Sequence, residues 1–145
     1  MTNKILITEF MTKDRFSDLE KYGEITYDPD LWNNEQLKDE IKNATILIVR
    51  NKTKVDSSLI GQAKNLKIVG RLGVGLDNID VQTANCNNIT VIYARNANAI
   101  SVAEYVLGAM LQFSRNYSSA TRDIKRGNWD RQKYTLYELY GKTLG

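Results

Sequence analysis

Five short apolar runs alternate with segments of helical spacing, and that alternation constrains the fold more than any other feature of the chain. The runs are Lys4–Thr8 (KILIT), Glu24–Tyr27 (EITY), Thr45–Val49 (TILIV), Ile68–Gly70 (IVG) and Ile89–Tyr93 (ITVIY). Between the first two, Thr12–Tyr22 places Phe16 and Leu19 near helical spacing, with Gly23 as a stop. After the Asp28-Pro29-Asp30 turn, Asn34–Asn43 carries Leu37 and Ile41 four apart, which marks one helix face. Asp56 or Ser57 is placed to cap a helix running through Ala63, and Asp80 a short helix to Cys86 or Asn87. Strands alternating with short helices build βαβ units, so the expected class is α/β with a parallel sheet, right-handed crossovers and helices on both faces. Five strands suggest the flavodoxin-like order 2-1-3-4-5.

In that architecture ligands sit beyond the carboxyl ends of the strands. The segments collected there are Thr8–Phe10, Arg50–Lys52, Leu72–Gly75 and Tyr93–Asn96. The third of these belongs to Lys67–Asp80 (KIVGRLGVGLDNID), where a strand runs directly into closely spaced glycines and an Asp/Asn cluster. Glycine tolerates positive φ and lets backbone N–H groups face a ligand, and successive N–H groups in a turn form a concave site for anions, carboxylates included. The same glycines would also serve a plain strand-to-helix turn. Their convergence with an arginine and several amide side chains favours the binding reading. Gly70-x-x-Gly73-x-Gly75 reverses the gaps of the dinucleotide fingerprint G-x-G-x-x-G, and starting from Gly73 puts Asn78 where the last glycine belongs. Arg50 directly follows Ile46–Val49, and a planar guanidinium there suits bidentate carboxylate or phosphate binding, although a solvated strand-end arginine looks the same in sequence. Arg71 and Arg95 share that position more weakly.

Composition removes several classes. A chain of 145 residues is long enough for one domain with a real core, and 42% hydrophobic with 26% charged residues is ordinary for a soluble protein. A net charge of +3, spread among acids, is too mild to indicate nucleic acid. No apolar segment is long enough to cross a bilayer and no signal-peptide pattern is visible, so no membrane partner is expected. The single cysteine, Cys86, forbids an internal disulfide, fits a reducing cytoplasm, and reads as a small core residue. With 0 histidines the chain holds no Ser-His-Asp triad, no His-ligated metal and no His general base.

Downstream, Ser101 and Glu104 form a capping-box pattern, and Val102, Val106, Met110 and Phe113 mark an apolar helix face. Gly108 inside this helix costs about 1 kcal/mol relative to Ala and suits a close helix contact. A break is expected near Arg115-Asn116, then a second helix capped by Ser118 and stopped by Gly127. Gly141–Gly145 reads as the opening of a further strand.

These motifs together resemble the amino-terminal part of the D-isomer-specific 2-hydroxyacid dehydrogenases, the family that includes phosphoglycerate dehydrogenase. The matching stretches are VRNKTKV (Val49–Val55), IVGRLGVGLDNID (Ile68–Asp80), NANAISVAEYVLGAML (Asn96–Leu111), RGNWDR (Arg126–Arg131) and YGKTLG (Tyr140–Gly145). The resemblance implies two domains: residues 1–98 as most of a substrate-binding domain, lacking its carboxyl-terminal return segment, and residues 99–145 as the opening helices and first-strand start of a truncated NAD-binding Rossmann domain. It further implies hydride transfer between nicotinamide (NAD) and C2 of a 2-hydroxy or 2-keto acid, and a homodimer formed through the cofactor domain.

Carried over by position, the backbone of Leu72, Gly73, Val74 and Gly75 binds the substrate carboxylate. Arg50 and Asn51 line the substrate pocket, and Val74 and Val102 approach the nicotinamide. The catalytic Arg, Glu and His of the family lie downstream of Gly145 in its pattern, so this chain alone is expected to be inactive. Many members have His after the SVAE glutamate, where this chain has Tyr105. Two rival readings remain. One is a corepressor-like binding protein that kept the fold and lost the chemistry. The other is a phosphorylation receiver, which would want an acidic pair after the first strand and an Asp ending the third; Thr8-Glu9 and Arg50 stand there instead.

Overall fold

All five apolar runs become strands of one parallel sheet in the computed structural model, which describes residues 2–145. The strands are β1 (Asn3–Ile7), β2 (Gly23–Tyr27), β3 (Ile46–Val49), β4 (Ile68–Arg71) and β5 (Thr90–Tyr93), in the order β2-β1-β3-β4-β5. Ile5 pairs with Ile25 and Ile46, Leu47 with Val69, and Val69 with Val91. The β1–β2 pairing is close enough that the Asn3 carbonyl fills the space a Cβ at Gly23 would need.

Alternation along the strands sorts their side chains onto two faces. One row, Leu6, Leu47, Val49 and Val69, packs with Leu37 and Ile41 around α2 (Leu37–Glu40), Leu59 and Ile60 of α3 (Ser57–Gln62), and Ala84 of α4 (Val81–Cys86). The opposite row, Ile5, Ile7 and Ile48, is covered by Met11, by Phe16 and Leu19 of α1 (Phe16–Leu19), and by Tyr27, whose ring meets Phe16 edge-on at 5.0 Å. That second face is closed over β1–β3 only: Ile92, in register with Gly70 and Ile48, is 56% exposed.

The first two helices are shorter than their patterns suggest. Phe16–Leu19 follows a 3-10 turn at Lys13–Arg15. Around α2, much of the run from Asn34 to Ala44 winds by i→i−3 bonds, among them Leu37 N–H to Asn34 O and Ala44 N–H to Ile41 O. Two apolar residues per segment anchor a turn or two and no more. The caps of α3 and α4 form at the expected acids: Asp56 accepts from Leu59 N–H, and Asp80 from both Thr83 N–H and its hydroxyl.

By Cα packing the chain divides into two compact units, Met1–Ala97 and Asn98–Gly145. The second holds α5 (Ala99–Arg115) and α6 (Tyr117–Lys125). Here several expectations fail. The helix α5 starts before Ser101, with Asn98 at its cap position and no side-chain cap bond, so the capping box does not form. Ser118 is likewise inside α6, because Asn116 turns the chain between the helices in the left-handed region (φ 49). Gly127 ends α6 at φ 79, as its position suggested. A Cβ on Gly108 would meet nothing within 4 Å, so no close contact requires glycine there. Gly141–Gly145 forms no strand. Cys86 is exposed at the end of α4, where Ala84 takes the core position instead. The segment after α6 is tied back by Asp123, whose carboxylate accepts from Lys133 Nζ at 2.6 Å and from Tyr134 OH at 2.8 Å. No helix among the described residues is long and apolar enough to cross a membrane.

Core and surface substitutions should separate cleanly by sign. Leu47→Ala, in a fully buried central strand, should cost about 2–5 kcal/mol. Gly61→Ala, in α3 with nothing within 4 Å of the new methyl, should stabilise by about 0.4–1 kcal/mol. Urea unfolding of the two variants measures both.

Candidate functional site

Beyond the carboxyl end of the sheet, the loops after β1, β3 and β4 are joined by polar side chains rather than by apolar packing. Glu9, directly after β1, is 3% exposed. Its carboxylate accepts four backbone N–H bonds from the loop after β3: Oε1 from Arg50 (2.9 Å) and Thr53 (2.9 Å), Oε2 from Asn51 (3.1 Å) and Lys52 (3.0 Å). The N–H groups of that loop thus form an anion nest filled from within. Burial pushes the Glu9 carboxyl up, but the N–H groups of Thr53, Arg50, Lys52 and Asn51 outweigh it and hold the group below its ordinary value of 4.5. Beside it, the fully buried hydroxyls of Thr8 and Thr53 share a hydrogen bond of 2.7 Å.

Asn78 links this loop to the glycine loop. Its Nδ2 donates to Thr53 O (2.8 Å) and Arg50 O (3.3 Å), while Val55 N–H donates to Asn78 O and Asp80 N–H to Val55 O. Gly73 O in turn accepts from Ala94 N–H after β5 at 3.0 Å.

The glycine loop differs from its sequence reading in two respects. None of Gly70, Gly73 and Gly75 lies at positive φ. At Gly73 the space a Cβ would take is occupied by the Arg71 guanidinium, the far end of a flexible side chain. Second, the expected four-amide nest at Leu72–Gly75 is reduced to a pair. The Leu72 N–H extends the sheet by donating to Val49 O (2.8 Å), and the Gly73 N–H closes a tight turn onto Arg71 O (2.9 Å). The N–H groups of Val74 and Gly75 have no partner among the described residues.

The other residues singled out from sequence fall as follows. Arg50 is exposed at the mouth, its Nη1 3.5 Å from the Phe10 carbonyl oxygen. Asn51 is exposed beside it, and its backbone, not its side chain, is engaged. Arg71 is half-buried against the glycine loop, with a buried Nε that has no partner; the buried Oδ1 of Asn78 is also unpaired. Val102 belongs to the second unit, 49% exposed on α5. No group of three His, Cys, Asp or Glu suited to a metal occurs among the described residues. Chemically, the glycine loop offers the free N–H donors of Val74 and Gly75 to an anion, with the Arg71 guanidinium against Gly73 and the Asp77 carboxylate beside Gly75. Sequence reasoning placed Glu9 at this end of the sheet but missed its role. The available signal was an acid set directly after an apolar strand and facing a polar loop from the neighbouring strand.

A family model described as "D-isomer specific 2-hydroxyacid dehydrogenase, catalytic domain" matches residues 5–136. Over 142 residues the chain is 46% identical to D-3-phosphoglycerate dehydrogenase of Methanocaldococcus jannaschii, covering 98% of this chain and 27% of that protein. It is 40% identical to (S)-sulfolactate dehydrogenase of Chromohalobacter salexigens, covering 97% of this chain and 46% of that one. Among solved structures, the PH0520 protein of Pyrococcus horikoshii OT3 superposes with a TM-score of 0.82 at 27% identity, over 98% of this chain and 44% of the other. The chain therefore spans less than half the length of each of these relatives.

Glu9 makes the acid limb of stability predictable. Its carboxyl is held below 4.5, so its contribution is fully present above that pH and is lost as pH falls through the depressed value. Glu9→Gln offers one acceptor oxygen and turns an NH2 group toward other donors, so it should cost about 1–3 kcal/mol near neutral pH. Urea unfolding should show the gap between wild type and variant narrowing from about pH 7 to about pH 3. A constant gap would assign the loss to shape rather than charge.

Proposed function

This chain belongs to the D-isomer specific 2-hydroxyacid dehydrogenase family, and from that premise we propose that it is the substrate-side part of an NAD-dependent oxidoreductase of phosphoglycerate dehydrogenase type. The reaction is hydride transfer between nicotinamide and C2 of a D-2-hydroxy acid. The observation that carries this reading is the pair of unpartnered N–H groups at Val74 and Gly75, set beside the unpartnered buried Nε of Arg71. Two backbone donors suit the two oxygens of a small carboxylate, and the Arg50 and Arg71 guanidinium groups supply countercharge for that carboxylate or for a phosphate at the far end of the substrate.

In this reading the roles divide between backbone and side chains. Val74 and Gly75 fix the carboxylate and so set which face of C2 is presented. Val74 and, from the second unit, Val102 offer apolar surface to the nicotinamide ring. When bound, NAD supplies the hydride acceptor or donor. The phosphates of the dinucleotide have no counterpart here, because the spacing Gly70-x-x-Gly73-x-Gly75 does not form their loop. Residues 1–98 then form the substrate-binding domain and 99–145 the opening of the cofactor domain. The open face at Ile92 is apolar surface for the returning carboxyl-terminal segment of the family to cover, and exposed Phe113 and Trp129 suit burial in the completed cofactor domain or its homodimer contact.

Two measurements test this. With NADH and a panel of 2-keto acids the 145-residue chain should show no turnover, because it holds 0 histidines and no dinucleotide loop. Detectable oxidation of NADH would overturn the division of labour. In a 15N–1H titration, 3-phosphoglycerate should shift the amides of Val74 and Gly75 first, and Arg71→Ala should weaken binding by about tenfold to a hundredfold, the worth of a charge-assisted hydrogen bond.

A further inference from the structure

Arg50 and Asn51 sit on a stretch without regular secondary structure, so something other than a backbone ladder must fix the direction in which they face. The strand-end segment Thr8–Phe10 supplies it. The Glu9 carboxylate holds the N–H groups of Arg50, Asn51, Lys52 and Thr53, the Thr8 and Thr53 hydroxyls share a hydrogen bond, and the Phe10 carbonyl oxygen lies 3.5 Å from Arg50 Nη1. Of these contacts the Glu9 set is the largest, and it sets a carboxylate charge against four backbone donors.

We propose that Glu9 is a positioning residue for anion recognition: its buried carboxylate acts as a built-in counter-anion that sets the loop bearing Arg50 and Asn51 toward the substrate. The inference rests on the reading of the site given above. Two consequences follow from the geometry. Without Glu9, four inward-facing N–H groups would lose their acceptor, and only the Asn78 bonds to Arg50 O and Thr53 O and the Thr8–Thr53 hydroxyl pair would be left to hold the loop. The vacated nest would also be an anion site in its own right, competing with the pair at Val74 and Gly75 for a carboxylate or phosphate. Glu9 thus both orients one wall of the site and keeps external anions out of the wrong nest.

Glu9→Ala removes the two carbons and two oxygens that acetate can replace, so chemical rescue distinguishes positioning from bulk stability. The probe is 3-phosphoglycerate, titrated into the 15N-labelled 145-residue chain. The expected result is that Glu9→Ala displaces the amide signals of Arg50–Thr53 and weakens probe binding by about tenfold or more, while acetate restores both in the variant and does nothing comparable in wild type. A folded variant that binds the probe within about twofold of wild type overturns the proposal. So does acetate that restores the melting temperature without restoring affinity, since that marks a purely structural role.

Should Glu9→Ala not fold, Glu9→Gln replaces it without acetate, since the amide fills that space: displaced Arg50–Thr53 amide signals and probe binding weakened by about tenfold or more support the proposal, and binding within about twofold of wild type overturns it. The wild type adds an independent check: the four nest amides should move with the same midpoint as Val74 and Gly75 on probe addition, and signals that stay still overturn the proposal. Wild type that fails to bind the probe at all overturns the site reading itself, an outcome distinct from binding that is indifferent to Glu9.

Discussion

A carboxylate with almost no solvent contact and four N–H donors holds together the carboxyl end of this sheet, where the proposed site lies. A buried charge with no partner would be strongly unfavourable, and four inward N–H groups without an acceptor nearly as much so. Each problem solves the other when Glu9 meets the loop Arg50–Thr53. From that joint the order propagates: the Thr8–Thr53 hydroxyl pair closes its flank, and Asn78 bonds Arg50 O and Thr53 O and so brings up the segment after β4. The glycine loop is held in turn between Val49 O on one side and Ala94 N–H on the other.

The consequence is a division between satisfied and unsatisfied donors. Most strand-end amides here are spent on the fold: those of Arg50–Thr53 on Glu9, that of Leu72 on β3, that of Gly73 on its own turn. Within Leu72–Gly75 the N–H groups of Val74 and Gly75 remain, and the unpaired Nε of Arg71 lies against the same loop. Backbone groups are chemically alike everywhere in a chain, so a binding site made from them is defined by which ones the fold leaves free.

How much of this was legible beforehand varies with how local the determining forces are. The strands were, because each is a short apolar run whose burial follows from its own residues. So were the acids that cap α3 and α4, since a cap bond spans only three residues. Ser101–Glu104 shows the limit of the same rule: the pattern is present, but α5 begins before it, so the serine never occupies a cap position. Cys86 was misplaced because one turn of α4 decides between Ala84 and its neighbours for a single core position. The glycines of the loop looked like devices for left-handed backbone, whereas none of them lies at positive φ and the Arg71 guanidinium lies over Gly73.

The order of the sheet and the family resemblance were determined by the sequence alone, because hydrophobic periodicity and motif spacing are properties of contiguous residues. Which amides are free and which are consumed, and that Glu9 is an internal anion rather than a solvated acid, was decided only by the tertiary structure. The partners of Glu9 lie more than forty residues away, at 50–53. They meet it because β1 and β3 are neighbours in the sheet although β2 lies between them in the chain.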